Sequence, residues 1–158
     1  MQWSAEPKIL RDPVHLFAFG FGAGLSPRAP GTAGTLVAVP IVYAMLHLDW
    51  RIQLACVSLA FVIGIFICGE SARRLQVHDH SGIVWDEITG FAITMIGMQP
   101  TLPFMCTGFL LFRFFDVVKP WPIREADHRL SGGLGIMLDD VLAGVFSCAI
   151  LYAIKFLT

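Results

Sequence analysis

The sequence predicts an all-α, multihelical membrane protein, and three observations carry that prediction. The chain is 56% apolar and only 15% charged, with a mean hydropathy of +0.69, whereas a soluble domain is nearer a quarter charged. Its charge is gathered. Residues 6–28, 70–87 and 113–140 hold nine of the eleven Lys/Arg and eleven of the twelve Asp/Glu, leaving only Asp49, Arg51 and Lys155 outside. Apolar runs at 32–48, 52–69, 88–98, 102–112 and 141–157 alternate with these stretches. Threaded back and forth through a bilayer, the runs place all three charged stretches on one face.

Crossing a bilayer takes about 20 apolar residues, with about 17 as the lower limit. The first run reaches that length only by including residues 32–35, and it contains Pro40. The second and fifth approach it unaided. The third and fourth are short unless they extend back into 83–88 and on into 113–115, so they are expected as a hairpin of membrane-embedded helices. Their inner ends would lie in a protein-lined, partly hydrated cavity. Polar turns at 48–51 and 98–101 fall on the face opposite the charged stretches. The excess of Lys/Arg on the charged face predicts that this face is cytoplasmic, and Trp3, Trp50, Trp85 and Trp121 flank apolar runs as interfacial anchors do. The competing reading is a soluble all-α domain with very apolar buried helices.

A chain of 158 residues is expected to form one domain, 1–158, with a sizeable core. The net charge of −1 argues against nucleic-acid binding, because no basic excess exists to neutralise phosphates. No signal peptide is expected, since the first fourteen residues are polar and the following run is glycine-rich. Cys56, Cys68, Cys106 and Cys148 each sit in apolar sequence and read as buried small hydrophobes. Cys68 and Arg74 have the spacing of a thiol phosphatase, but Glu70 would lie inside the phosphate loop and repel the substrate.

Two acidic pairs stand before apolar runs, Asp86-Glu87 before the third and Asp139-Asp140 before the fifth. In each, glycine precedes the first Asp by four residues and a small residue follows it by four, namely Gly82 and Gly90, then Gly135 and Ala143. On a helix these positions share a face, so each Asp lies one turn from a point of close helix approach. Two such helices packed together would bring four carboxylates within a few ångströms. Like charges at that range repel, and a divalent cation removes the conflict; oxygen ligands from carboxylates, water and substrate phosphate suit Mg²⁺. Asp86, Glu87, Asp139 and Asp140 are therefore the candidate metal ligands. The alternative is that each pair simply caps a helix N-terminus, where the helix dipole favours acids.

The loop from Gly20 to Gly34 is neither a P-loop nor a dinucleotide fingerprint. It presents Arg28 and enters a helix through Thr32 and Thr35, where backbone N–H groups bind anions readily. The third charged stretch offers Asp116, Lys119 and Arg124, and Pro120 and Pro122 should end any helix by about Lys119. Asp116 and Lys119 are three residues apart and could form a surface ion pair. In the functional reading, Asp116 joins the carboxylates while Lys119, Arg124 and Arg28 hold phosphate oxygens. His78 and His80 give little, and Asp79 between them is the better candidate.

The blocks Gly31-Thr32-Ala33-Gly34-Thr35-Leu36, Val84-Trp85-Asp86-Glu87, and Phe114 through Lys119-Pro120-Trp121-Pro122-Ile123 to Asp139-Asp140-Val141-Leu142-Ala143-Gly144 resemble the bacterial phosphatidylglycerophosphatase A family, in the family's order. The resemblance implies a multi-pass inner-membrane, Mg²⁺-dependent lipid phosphatase with a multihelical fold. It would remove the terminal phosphate of phosphatidylglycerophosphate to give phosphatidylglycerol, and it leaves the oligomeric state open. Attack by a metal-activated water is the simplest route consistent with these residues. Asp79 or Asp116 would orient the water, and Arg28, Lys119 and Arg124 would neutralise the phosphoryl oxygens. Two alternatives stand beside it: a phosphatase for another phosphomonoester or pyrophosphate lipid, and a transporter that uses the embedded acids.

Overall fold

The computed structural model describes residues 7–77, 80–125 and 131–157, and among them every regular element is helical. After a 3₁₀ turn at Pro7–Arg11, the chain forms α1 (Pro13–Ala18), a second 3₁₀ segment (Gly20–Leu25), α2 (Pro30–Met45), α3 (Trp50–Leu75), α4 (Trp85–Met95), α5 (Leu102–Val118) and α6 (Gly132–Leu157). Local chemistry sets most boundaries. Asp12 caps α1 by accepting from Val14 N at 2.9 Å, and Asp49 caps α3 by accepting from Arg51 N at 2.9 Å. Pro30 and Pro103 occupy first-turn positions, where the missing N–H is harmless. Gln76 and Lys119 end α3 and α5 in the left-handed conformation, and α5 stops at the residue before Lys119-Pro120, as the prolines predict.

Helix α4 is the centre of the bundle. It packs on α2, α3, α5 and most extensively on α6. Phe91, Met95 and Phe112 are fully buried around it, together with Val42, Ala143 and Leu151. The α4–α6 approach is close because Gly90 and Gly144 face each other: a Cβ on Gly144 would lie 2.5 Å from Gly90 O. At eleven residues α4 is only about 16 Å long, half a bilayer core. Its surrounding helices enclose it, so it needs no contact with lipid.

The outer surface is apolar. Phe66 is 72% exposed and Leu110 68%, and Leu36, Ile41, Leu59, Ile63 and Val145 also point outward. Helices α3 and α6 are long and apolar enough to cross a membrane, and only 22% of the most apolar stretch of α3 is buried. The core helix of a soluble protein would be mostly covered, so the arrangement is that of a multihelical membrane protein. Buried hydroxyls bond back within their own helices, Thr94 to Gly90 O at 3.0 Å and Ser147 to Ala143 O at 2.7 Å, which satisfies them without a partner from outside.

The helices alternate in direction, so the turns after α2 and α4 meet at one end. There Gln53 donates to Leu48 O and accepts from Gly97 N, and Lys155 donates to Gly97 O at 2.9 Å. The three charges outside the charged stretches are thus explained: Asp49 caps a helix, Lys155 ties off a turn, and Arg51 lies over the Trp50 ring, 5.4 Å from its centroid. At the other end Arg74 pairs with Glu70 and Asp12, fastening α1 to α3, and His15 Nδ1 lies 2.8 Å from Ser71 Oγ.

Four expectations change. Cys68 is buried, but Cys56 and Cys106 are exposed on the outer faces of α3 and α5, because an apolar residue in a membrane helix can face lipid as readily as core. Trp50 and Trp121 are exposed, but Trp85 turns inward and donates to Ala60 O at 3.0 Å; Trp3 lies outside the described residues. The fifth apolar helix begins at Gly132, not 141, so Asp139 and Asp140 stand two turns inside it. Asp116 and Lys119 do not pair with each other: each finds a stronger partner across or along the site.

A buried carboxylate centre

Four helices deliver the site. The first turn of α4 carries Asp86 and Glu87, α6 carries Asp139 and Asp140, α5 carries Arg113 and Asp116 with Lys119 at its cap, and α2 brings Gly31. Carboxylate oxygens of Asp86, Glu87 and Asp140 lie within 4.8 Å of one another, and so do those of Asp116, Asp139 and Asp140. Asp140 belongs to both triads and is 2% exposed.

Two cations hold the edges. Arg113 Nη1 lies 2.6 Å from Asp116 Oδ2 and 3.9 Å from Glu87 Oε1, bridging α5 to α4. Lys119 Nζ donates to Asp139 Oδ2 at 2.6 Å, bridging α5 to α6. Lys119 adopts φ +44 at the helix cap, a conformation that costs a non-glycine residue roughly 1–2 kcal/mol. The left-handed cap turns its side chain back toward α6. Gly31 admits the end of α2 to the cluster, since any side chain there would strike the Glu87 carboxylate.

Helix capping does not account for these acids. It fits Asp86 and Glu87, which stand in the first turn of α4, but α6 has no acid in its first turn. Nor are the carboxylates satisfied by the protein. Asp86 Oδ1, Glu87 Oε2 and Asp140 Oδ1 are buried and accept no hydrogen bond from any described residue, and Arg113 Nε finds no acceptor among the described residues either. Buried polar atoms are normally paired. Unpartnered oxygens on converging carboxylates are the donor set of a hard divalent cation.

The remaining candidates divide. Arg28 is exposed in the loop before α2, Thr32 is half-buried in the first turn of α2, and Arg124 is exposed a short way beyond Lys119. Thr35 stands apart: its hydroxyl is fully buried and donates to Gly31 O at 2.9 Å, so it is not presented to a ligand. Asp79 lies outside the described residues. Arg113 was not among the expected site residues, because it follows an apolar run and reads as the flank of a membrane helix. Its spacing of three from Asp116 is the signal that could have found it.

Fold and site together define a multihelical membrane protein around a buried carboxylate centre suited to a divalent cation. A family model described as phosphatidylglycerophosphatase A matches residues 16–155, and the chain belongs to that family. Phosphatidylglycerophosphatase A of Escherichia coli K12 is 47% identical over 146 residues, which is 92% of this chain and 85% of the relative. The Haemophilus influenzae protein of the same name is 41% identical over 150 residues, 93% of this chain and 91% of the relative. A Bacteroides thetaiotaomicron protein, provisionally named a phosphatidylinositol-3-phosphatase, is 38% identical over 139 residues, 84% of this chain and 87% of the relative. No solved structure matches the chain.

Proposed function

We propose that this protein hydrolyses phosphatidylglycerophosphate to phosphatidylglycerol in a Mg²⁺-dependent reaction at the cytoplasmic face of the inner membrane. The observation that carries the reading is the carboxylate centre with its unpartnered oxygens, found in a chain whose family and relatives bear the phosphatidylglycerophosphatase name. Asp86, Glu87, Asp139 and Asp140 would hold the metal. When bound, Mg²⁺ supplies positive charge to the phosphoryl group and acidifies a water. Asp116, held in place by Arg113, would orient that water and take its proton. Lys119 and Arg113, aided by Arg28, Arg124 and the amides around Thr32, counter the charge of the phosphoryl oxygens. The nine Lys/Arg gathered on the charged face support a cytoplasmic site.

The name of the Bacteroides relative favours a second reading, in which the scissile group is a phosphomonoester on an inositol lipid. Both readings use the same centre and differ in the headgroup. Phosphate release by the purified protein in detergent, from phosphatidylglycerophosphate and from phosphatidylinositol-3-phosphate, with Mg²⁺ and then with EDTA, separates them. Mg²⁺-dependent release from the first lipid is expected. Release from the second alone would transfer the assignment, and release from neither by folded protein would end it.

A further inference from the structure

We propose that a polar cavity at the end of the bundle opposite the carboxylate centre binds the headgroup of an anionic phospholipid from the far leaflet. The cavity has a volume of about 590 Å³ and lies where α3, α6 and the turn after α4 meet. Trp50 and Gln53 of α3, Met98 of the turn, and Tyr152 and Lys155 of α6 line it. The protein holds these walls in place through its own hydrogen bonds. Gln53 is buried, donating to Leu48 O at 2.9 Å and accepting from Gly97 N at 2.8 Å. Tyr152 donates to Ile96 O at 3.2 Å, and Lys155 donates to Gly97 O at 2.9 Å.

Charge and depth choose the occupant. Nine of the eleven Lys/Arg belong to the charged stretches, and the two that do not, Arg51 and Lys155, both stand at this end. Among the described residues neither pairs with a carboxylate. The Arg51 guanidinium lies over the Trp50 ring, 5.4 Å from its centroid, and Lys155 Nζ is 5.5 Å from that of Tyr152. Asp49 is committed to the α3 cap. Lys155 has donors left after its bond to Gly97 O, the Arg51 guanidinium has all of its own, and phosphate oxygens are strong acceptors for both. No carboxylate lines the cavity, so the ammonium of a zwitterionic headgroup would meet cations without a counter-charge. From Asp140 to Lys155 α6 rises about 22 Å, most of a hydrocarbon core about 30 Å thick. The cavity therefore stands at the level of the far headgroups. Leu48, Trp50, Phe156 and Leu157 are exposed around it, and the acyl chains of a lipid would lie on that apolar surface while its phosphate enters.

The test is thermal unfolding of the purified protein in an uncharged detergent with EDTA, titrated with phosphatidylglycerol, phosphatidylethanolamine or inorganic phosphate. Without metal the carboxylates repel anions, and no turnover is read, so either result leaves the phosphatase reading as it stands. Phosphatidylglycerol should raise the Tm saturably by a few degrees, and the other two should not. Arg51→Gln and Lys155→Gln should each weaken the apparent affinity by about tenfold, the loss of one charge-assisted hydrogen bond. Lys155→Arg should recover most of it. Arg73→Gln, which removes an exposed cation at the other end of α3, should change nothing. An equal shift with phosphatidylethanolamine would reduce the effect to bulk lipid and overturn the site. An equal shift with inorganic phosphate would overturn the lipid as its occupant, and affinity that survives both glutamine variants would overturn the residues. Should Lys155→Gln not fold, Arg51→Gln decides alone, because that guanidinium is exposed and rests only on the Trp50 ring.

Discussion

Gly31→Ala separates the site from the fold more cleanly than removal of any acid. A Cβ at position 31 would lie 2.1 Å from Glu87 Oε1 and 3.0 Å from Arg113 Nη1, where ordinary contact begins at 3.4 Å. The carboxylate oxygen must therefore retreat by about 1.3 Å, the difference between 3.4 and 2.1 Å. Folding tolerates this, because the displaced atom is the end of a flexible side chain. Gly31 is helical, and alanine gains up to about 1 kcal/mol in helix propensity to offset the crowding. Catalysis does not tolerate it, since a misplacement of about 1 Å costs on the order of 100-fold. The variant should lose roughly two orders of magnitude in kcat/KM, about 2.7 kcal/mol of transition-state stabilisation, while its Tm in detergent moves by a few degrees at most. Phosphate release and thermal unfolding on the same preparation decide the matter. Activity within about threefold of wild type at unchanged Tm would remove Glu87 from the reaction. A collapsed Tm would show instead that the contact is structural.

Asp86→Asn and Asp139→Asn should each abolish turnover while the protein still inserts and folds; near-normal activity in either sinks the metal assignment. Gly144→Ala drives a methyl to 2.5 Å from the Gly90 carbonyl, which backbone cannot yield, and should cost about 1–3 kcal/mol. An unchanged Tm would contradict the close α4–α6 approach. Burial beside Ser71 holds the His15 imidazole below its usual 6.5, with Arg74 acting in the same direction and Asp12 and Glu70 opposing. The unfolded chain thus takes up the proton first, so the stability from this contact is complete above about 6.5 and falls as the pH drops below it. Thermal unfolding from neutral to mildly acidic pH should show that decline, and His15→Gln should flatten it; a slope of the opposite sign refutes the sign of the shift. Calorimetric titration of the metal-free protein with Mg²⁺ should reach two ions per chain, and saturation at one would merge the two triads into a single site.

The acidic pairs were legible because helical periodicity is local. Asp86 and Gly90, or Asp139 and Ala143, share a face whatever the rest of the chain does, and small residues beside the acids announce a close helix contact. The alternation of charged stretches with apolar runs likewise gave the direction of each helix. What depends on partners distant in sequence was not legible. Lys119 sits three residues from Asp116, yet its left-handed cap sends it to Asp139, and Arg113 takes Asp116. Helix α6 starts early because Gly133 packs directly on Ile65 O and Gly69 N. Gly133 and Gly69 are there the condition for α3 and α6 to touch. Cys56 and Cys106 show the matching error in burial, since apolar character in a membrane helix does not distinguish core from lipid.

We propose two cations for this centre, because among the described residues the carboxylates divide into two triads that share Asp140. Arg113 and Lys119 stand at the edges of the cluster, and cations held between the acids would relieve the repulsion of like charges at that range. If two cations were held there, Asp140 would serve both triads, and the pair would supply positive charge to the phosphoryl group. On this account Asp140 is the residue on which the whole site turns, and its near-complete burial between α4 and α5 follows from that position.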